Sequence, residues 1–341
     1  MSVIDHLPKV EVSHDWDDPQ FYETLKERSV PVLLKGLVKS WPIVQAANHS
    51  DESFFDYLCD RASPGLVSTL EAPFSTNGYF FYNETLQGFN FERKPAKFRD
   101  FCDRLLNYRY KKAAFLSIQS AFLDENFPCV DTENVMNVMG DNLRPRIWIG
   151  NKTVVGTHYD DADNIACVVA GKRRFTLFPP DQIENLYVGP LEFTPAGATV
   201  SMASLIEPNF TQFPRLKTAL EHAVVADMEP GDGLYVPTLW WHHVEAQGEI
   251  NALINYWCGG SIGSERKPPY PHAAMLMSML AMDGLSPSAK KAWRAVFNYY
   301  VFREENEKAG HLPIDKRGIM SGIDEVTADR LKTWLVSQLQ K

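Results

Sequence analysis

Short apolar runs, separated by Gly, Pro and Asp, fill the middle of the chain from about residue 113 to residue 260. They include RIWIG, NIACVVAG, GDGLYVP and INALINYWCGG. Several short β-rich runs with turn residues between them are typical of a sandwich or a barrel, and not of alternating βαβ units. The pattern therefore predicts a mainly β fold with flanking helices.

The pattern changes at both ends of this β-rich stretch. Residues 1–110 mix short helical and extended pieces, and we predict a mixed α/β region that packs on the core. Residues 111–265 form the predicted core. Residues 266–341 are predicted to be a C-terminal helical extension, in which Ser286 starts one helix and Thr327 caps the last one.

The predicted C-terminal helices carry a broad apolar surface. One stripe at helical spacing consists of Trp293, Val296, Phe297 and Tyr300. Apolar faces of this kind suit either packing against the β core or an interface between two copies of the chain. The sequence leaves both open, and a homodimer through these helices is one prediction.

Charge and composition narrow the classes of partner. The chain has 341 residues and a net charge of -9. An acidic surface does not attract phosphate backbones, so general binding of nucleic acid is not expected. No run of about 18 apolar residues is present, and the first residues lack a basic stretch followed by an apolar one. We therefore expect no membrane span and a cytoplasmic protein.

Candidate metal ligands occur in the run His158-Tyr159-Asp160. Residues two apart on a strand point to the same face, so this imidazole and this carboxylate would converge on one point. A third ligand must come from a distant strand, and His242 can supply it while alternation points His243 away. Two histidines and one carboxylate leave coordination positions open, which suits Fe(II) with a chelating co-substrate and O2.

The stretches around these ligands resemble the cupin-like JmjC hydroxylases. They are THYDDADNIACVVAGKRRFTLFPPDQIENLY, GDGLYVPTLWWHHVEA and INALINYWCGG. The strong similarity runs from about Trp148 to Gly260, and a weaker one reaches PVLLKGLVKSWP and FNFERK. Within that family the sequence looks most like the group containing the asparaginyl hydroxylase of hypoxia-inducible factor. The resemblance implies a double-stranded β-helix (jelly-roll) core that uses Fe(II), 2-oxoglutarate as co-substrate, and O2.

The resemblance also implies roles for particular residues. Iron would be held by His158, Asp160 and His242, which would thereby form the catalytic centre. Further residues would hold 2-oxoglutarate or wall it in, namely Asn164, Asn255 and Val244. The substrate pocket would contain Trp257, Gln119, Tyr159 and Trp241.

One departure from the family pattern concerns the distal carboxylate of 2-oxoglutarate. Relatives often pair it with a lysine, and that position falls here on Arg173. A guanidinium can bind a carboxylate with two parallel hydrogen bonds, so the role can survive. Lys172 or Arg174 could serve if the register is shifted by one, although strand alternation puts these two on the face opposite Arg173.

A second departure is Val155, where relatives often carry a hydroxyl group that bonds to the same carboxylate. The hydroxyl groups of Thr176 and Ser117 are the candidate replacements. Ser117 and Gln119 belong to AFLSIQS, which resembles a strand that lines the substrate side in relatives.

The predicted activity is hydroxylation of a side chain in a peptide or protein. The same chemistry on a small molecule, a tRNA base or an N-methyl group is an alternative. A metal-binding cupin that only binds or dimerises is an alternative of another class, although the complete ligand set argues against it. Zinc-dependent hydrolysis would also fit two histidines and a carboxylate, but no glutamate lies beside His158 to act as general base.

Overall fold

The structure, a computed structural model, describes most of the 341 residues. The described residues are 4, 6–16, 20–109, 111, 113–136, 138–139, 143–195, 197–261, 269–303 and 309–340. Their contacts divide the chain into two compact units, Met1–Tyr270 and Pro271–Lys341. The boundaries predicted after residues 110 and 265 lie at positions that the structure does not describe. The division of the chain into three regions therefore stays a prediction.

Two β-sheets build the first unit. The strands are β1 (Glu11–Ser13), β2 (Val32–Leu34), β3 (Leu66–Pro73), β4 (Tyr79–Phe80), β5 (Glu92–Lys97), β6 (Ala114–Phe122), β7 (Arg146–Gly150), β8 (Val154–His158), β9 (Asp163–Ala170), β10 (Arg173–Phe178), β11 (Val224–Met228), β12 (Gly233–Val236), β13 (Trp241–Ala246) and β14 (Asn251–Cys258). Nine of them form a sheet in the order β1-β2-β12-β9-β14-β7-β6-β3-β5, and five form a second sheet in the order β11-β10-β13-β8-β4.

Strands β7 to β14 form a double-stranded β-helix. Four of them, β12-β9-β14-β7, lie in the nine-stranded sheet, and the other four, β11-β10-β13-β8, lie in the five-stranded sheet. All pairings among these eight strands are antiparallel. The chain passes from one sheet to the other after each strand except between β10 and β11. The mainly β jelly-roll fold predicted from the sequence is confirmed.

Helices lie along the chain before, between and after the strands. In the first unit they are α1 (Phe21–Arg28), α2 (Pro42–His49), α3 (Asp51–Cys59), α4 (Phe98–Tyr108), α5 (Leu123–Asn126), α6 (Pro128–Glu133) and α7 (Leu216–Glu221). In the second unit they are α8 (Pro271–Met282), α9 (Pro287–Tyr300) and α10 (Glu325–Leu339). None of the helices that the structure describes combines the length and the apolar character needed to cross a bilayer.

The unbroken apolar run of β9 is explained by what covers its two faces. Ala166 and Val168 point into the space between the sheets, where they meet residues such as Phe175. The alternate side chains, including Cys167, pack instead with residues of α2 such as Ile43. A strand buried on both faces has no solvent side, so polar residues at alternate positions are not required.

The N-terminal region extends the larger sheet on both sides of the jelly roll. Strands β1 and β2 add beside β12, and β6, β3 and β5 add beside β7. The buried carboxylate of Asp232 fixes the first of these junctions. It accepts the N–H groups of Gly36 (3.0 Å) and Glu229 (2.9 Å) and the ammonium of Lys35 (2.7 Å). The turn before β12 is thereby tied to the end of β2.

The helix ends confirm part of the sequence prediction. Ser286 caps α9, because its hydroxyl oxygen accepts the N–H of Ala289. Thr327 was predicted to cap the last helix, and this is wrong. Helix α10 begins at Glu325, and the carboxylate of Asp324 accepts the N–H of Thr327 at 2.8 Å. An aspartate at this position caps as well as a threonine and also favours the helix dipole.

Candidate metal centre

Three candidate ligands meet where β8 ends beside β13. His158 is the last residue of β8, and it lies directly opposite His242 in the antiparallel pairing of the two strands. Asp160 follows two residues after His158. The potential ligand atoms of the three side chains all lie within 4.8 Å of one another, and His242 Nε2 is 3.7 Å from Asp160 Oδ2. Atoms this close can share one metal ion.

Backbone contacts present the same nitrogen of each imidazole to the candidate metal position. Nδ1 of His158 lies 2.9 Å from the carbonyl oxygen of Gly156, and Nδ1 of His242 lies 3.0 Å from that of Trp240. A carbonyl can only accept, so each Nδ1 carries a proton, and in the neutral ring Nε2 is then the nitrogen with the free lone pair. Burial also lowers the pKa of His242 to about 4, so this ring is neutral at pH 7, as a ligand must be.

The carboxylate of Asp160 is oriented by an indole. Trp257 Nε1 donates a hydrogen bond to Asp160 Oδ2 at 3.2 Å. Trp257 belongs to β14 in the opposite sheet, so the hydrogen bond joins the two sheets at the centre. Hydrogen bonds of this kind fix the direction of a ligand's lone pairs and commonly strengthen metal binding.

The three candidate ligands open into a cavity of about 250 Å³ between the sheets. Its walls are mostly apolar, with a few polar groups. The described lining residues are Ser120, Arg146, Trp148, Val155, His158, Asp160, Asn164, Ala166, Arg173, Phe175, Gly197, Ala198, His242, Val244, Leu253, Asn255 and Trp257. Such a cavity is large enough for a small chelating ligand.

Arg173 carries a charge into this cavity without a partner. The side chain is 7% exposed, its Nε is buried with no hydrogen bond, and it forms no ion pair with any described residue. Lys172 and Arg174 lie on the other face and pair with Glu229 and Asp227. Burial lowers the pKa of Arg173 to about 10, and the group remains charged at neutral pH. A buried, unpaired guanidinium is costly unless an anion meets it.

Two asparagines and two valines line the space beside the metal position. Asn255 Oδ1 accepts the indole N–H of Trp148 at 3.0 Å, and Asn255 Nδ2 donates to Asn164 Oδ1 at 3.4 Å. Val155 and Val244 lie opposite each other on β8 and β13. The amides are therefore held in fixed orientations, while the valines make the facing wall apolar.

Comparison with known proteins identifies the family. A family model described as a cupin-like domain matches residues 18–261, which is more than half of the chain. The chain belongs to the cupin-like domain family. The resemblance to cupin-like JmjC proteins seen in the sequence is thereby confirmed, while the narrower likeness to the asparaginyl hydroxylase group stays a prediction.

This cupin-like chain is also similar to curated proteins from several organisms. It is 24% identical over 269 residues to "Lysine-specific demethylase JMJ31" of Arabidopsis thaliana, covering 70% of the chain and 47% of that protein. It is 26% identical over 245 residues to "JmjC domain-containing protein D" of Dictyostelium discoideum, covering 66% and 50%. It is 32% identical over 113 residues to "HSPB1-associated protein 1" of Homo sapiens, covering 33% and 22%. The chain thus spans half or less of the length of these relatives.

Two residues predicted on β6 do not line the cavity of the cupin-like core. Ser117 is buried and its hydroxyl bonds to the carbonyl of Ile118, while Gln119 is only partly buried. The pairing of β6 with β7 shifts register between Ile118 and Ala121, and Ser120 there has a left-handed φ of 57°. This bulge changes the alternation, so Ser120 lines the cavity in place of the predicted pair.

Three further predicted residues, Thr176, Trp241 and Tyr159, point away from the cavity. Thr176 lies between His243 and Val225 on the neighbouring strands, facing away from the cavity that Arg173 enters. Trp241 is one residue from His242 and therefore points the other way. It packs against Tyr159, with ring centroids 4.7 Å apart, in a separate apolar cluster. None of these three side chains lines the cavity.

The structure also brings in residues that sequence reasoning missed. Arg146 and Trp148 enter the cavity from β7, Phe175 enters from β10, and Gly197 and Ala198 come from the long segment between β10 and β11. The strand residues follow from alternation once one inward residue is known, because Arg146 and Trp148 are two apart. No sequence signal identified the glycine and alanine.

Proposed function

We propose that this cupin-like chain is an Fe(II)- and 2-oxoglutarate-dependent dioxygenase. The observation that carries the proposal is the unpaired guanidinium of Arg173, which enters the same cavity as the open cluster of His158, Asp160 and His242. A metal-binding module needs the three ligands but has no use for a buried cation nearby. A site for a dianionic chelator needs both.

The residues present fit the two groups that the proposal requires. Two imidazole Nε2 atoms and one carboxylate can bind Fe(II) and leave coordination positions free. Arg173 can bind the distal carboxylate of 2-oxoglutarate with two charge-assisted hydrogen bonds. When bound, Fe(II) and 2-oxoglutarate supply the oxidising chemistry, in which O2 converts the co-substrate to succinate and CO2 and one oxygen atom is added to a substrate C–H bond.

The chain's own contribution is to bind, orient and exclude water. Asn164 and Asn255, held by their mutual hydrogen bond and by Trp148, offer polar atoms to the co-substrate or substrate. Val155 and Val244 keep the facing wall dry. Fixed polar groups in a shielded site hold reacting groups in position without reorganisation during the reaction.

The proposed substrate is a side chain of a peptide or protein, and two products are possible. Hydroxylation at carbon gives a stable alcohol, whereas hydroxylation of an N-methyl group releases formaldehyde. The second outcome is suggested by the relative named "Lysine-specific demethylase JMJ31". Mass spectrometry of peptides incubated with the enzyme distinguishes a gain of one oxygen atom from a loss of one methylene group.

A calorimetric titration tests the co-substrate site. With Mn(II) in place of Fe(II), the wild-type protein is expected to bind 2-oxoglutarate, and Arg173→Met is expected to bind it at least about a hundredfold more weakly. Arg174→Met is the matched control, because that side chain lies on the same strand but points outward. The His158→Ala variant should bind neither metal nor co-substrate.

Turnover provides the second part of the test. With Fe(II), ascorbate and O2, wild-type protein should form succinate from 2-oxoglutarate slowly even without substrate, and His158→Ala should not. Folded, Mn(II)-loaded protein that does not bind 2-oxoglutarate would contradict the proposal and favour a cupin that only binds metal.

A further inference from the structure

A second guanidinium, that of Arg146, also lines the cavity. Arg146 is the first residue of β7 and is partly buried. One of its terminal nitrogens donates to the hydroxyl oxygen of Ser120 at 2.8 Å, and its Nε is buried without any hydrogen bond. It forms no ion pair with any residue that the structure describes. The cavity therefore holds two cations that the protein itself does not neutralise.

Aromatic rings hold Arg146 in place without satisfying its charge-assisted hydrogen bonds. The centre of the guanidinium lies 4.2 Å from the centroid of the Phe122 ring and 5.0 Å from that of Trp257. Stacking of this kind fixes the direction of the guanidinium and leaves the N–H groups at its edge free to bind a ligand. The same Trp257 donates to Asp160, so Arg146 is anchored beside the metal position.

The nearby Arg144 shows what an arginine with a structural role looks like here. Its guanidinium pairs with Asp124 at 2.7 Å and Glu125 at 2.8 Å, and its centre lies 4.0 Å from the centroid of the Phe122 ring. These two carboxylates are thus engaged by Arg144. Arg146 forms no such ion pair with the described residues. Burial lowers the pKa of its guanidinium, the charge of Arg144 lowers it further, and the charges of Asp160 and Glu125 offset these effects only in part.

The charges that line the cavity leave Arg146 unbalanced even when the proposed ligands are counted. Among the described lining residues, only Arg146, Arg173 and Asp160 carry a charge. If the proposed function holds, the charges of Fe(II) and Arg173 are balanced by those of Asp160 and the 2-oxoglutarate dianion. The remaining positive charge is that of Arg146, and a desolvated charge of this kind attracts an anion and repels a cation.

We propose that Arg146, together with Ser120, binds a carboxylate of the substrate next to the C–H bond that is oxidised. This proposal rests on the proposed function, since it assigns the substrate of the same site. It names acidic compounds as the substrate class, in the first place peptides with an aspartate or glutamate at or beside the reacting residue. It also disfavours a methylated lysine, whose cation would approach Arg146.

Pairs of small probes that differ only in charge test the proposal. Wild-type protein is loaded with Mn(II) and saturating 2-oxoglutarate, and the paramagnetic relaxation of probe protons reports binding near the metal. N-acetyl-aspartate N-methylamide is compared with its asparagine counterpart to represent a peptide, and butyrate with butyramide to represent a free acid. Within at least one pair the carboxylate is expected to bind roughly ten- to hundredfold more tightly.

Variants separate Arg146 from the rest of the cavity. The preference for the carboxylate should disappear in Arg146→Gln, persist in part in Arg146→Lys, and remain unchanged in the matched control Arg144→Gln. A calorimetric titration with 2-oxoglutarate is made first on each protein, and near-normal co-substrate binding in Arg146→Gln shows that this variant is folded. The pair that shows the preference distinguishes a peptide from a small acid as the source of the carboxylate.

Several results would overturn the inference. One is equal binding of acid and amide in both pairs, or no binding of either acid with 2-oxoglutarate bound. Another is a preference that survives in Arg146→Gln. Loss of 2-oxoglutarate binding in Arg146→Gln but not in Arg144→Gln would place Arg146 in the co-substrate site instead. Failure of the wild-type protein to bind 2-oxoglutarate is a separate result, which refutes the proposed function. The assignment of the carboxylate at Arg146 to a substrate would then fall with it.

Discussion

Replacing Arg173 with methionine separates what this residue costs in folding from what it contributes to ligand binding. Burial lowers the pKa of the guanidinium to about 10. A tenfold change in an ionisation equilibrium corresponds to about 1.4 kcal/mol, so keeping this group charged in the unliganded cavity costs roughly 3 kcal/mol. A base whose pKa is lower in the folded state destabilises the fold below that pKa, and the cost is relieved only as the pH rises through about 10. At pH 7 it is fully present.

Methionine has an unbranched apolar side chain and no charge, so it can occupy the same space without this cost. Unliganded Arg173→Met is therefore expected to be more stable than wild type by up to about 3 kcal/mol, which for a unit of this size raises Tm by about 6 °C. 2-Oxoglutarate at a hundred times its Kd should stabilise wild type by about 2.7 kcal/mol and the variant by almost nothing. The two Tm values should therefore converge when the co-substrate is added.

Scanning calorimetry of Mn(II)-loaded protein, with and without 2-oxoglutarate, measures both effects. Arg174→Met is the control, because Arg174 lies on the outer face and pairs with Asp227. Loss of that pair should change stability by at most about 1 kcal/mol, and the full response to 2-oxoglutarate should remain. An Arg173→Met variant that is less stable than wild type without ligand, or that responds normally to 2-oxoglutarate, would refute the reasoning.

Three further predictions follow from other contacts. Trp257→Phe removes the hydrogen bond to Asp160, so Mn(II) affinity measured by titration should fall roughly tenfold or more, and unchanged affinity would show that this bond does not orient the carboxylate. Asp232→Asn turns an amide N–H toward a backbone donor, so the free energy of unfolding measured in urea should fall by about 2 kcal/mol. A fall of less than about 0.5 kcal/mol would contradict the role of Asp232 in joining β2 to the turn before β12. The exposed apolar faces of the C-terminal helices, which include Leu280 and Trp293, are predicted to pair two chains. Leu280→Glu should then convert a dimer to a monomer in analytical sedimentation. Wild-type protein that is already monomeric would exclude the dimer.

The jelly roll was implied by the resemblance to the cupin-like JmjC hydroxylases. Hydropathy alone predicts a mainly β sandwich or barrel, and strand alternation predicts that His158 and Asp160 point to one face. Both predictions rest on strong physical regularities. Apolar and polar side chains must alternate along a strand with one buried face, and side chains two residues apart on a strand must share a face. The same rule places Arg173 opposite Lys172 and Arg174, as the structure has it. These features depend on many residues at once, so one misjudged position does not change them.

Other features depend on single irregularities that have no clear sequence signal. The bulge in β6 puts Ser120 at the cavity in place of Ser117 and Gln119, and nothing in AFLSIQS marks the extra residue, because a serine with a left-handed φ looks like any other serine. The long segment between β10 and β11 contributes Gly197 and Ala198 through tertiary contacts alone. Such contacts cannot be derived from local pattern.

The two cationic residues of the cavity differ in a way that links the fold to the order of binding. Arg173 enters from the five-stranded sheet and is almost fully buried, whereas Arg146 enters from the nine-stranded sheet and is only partly buried. The more buried charge suffers the greater desolvation, so an anion that reaches it gains more. The first dianion to enter is therefore expected to settle on Arg173. A second anion then meets only Arg146, which lies nearer to solvent, and this favours binding of 2-oxoglutarate before an acidic substrate.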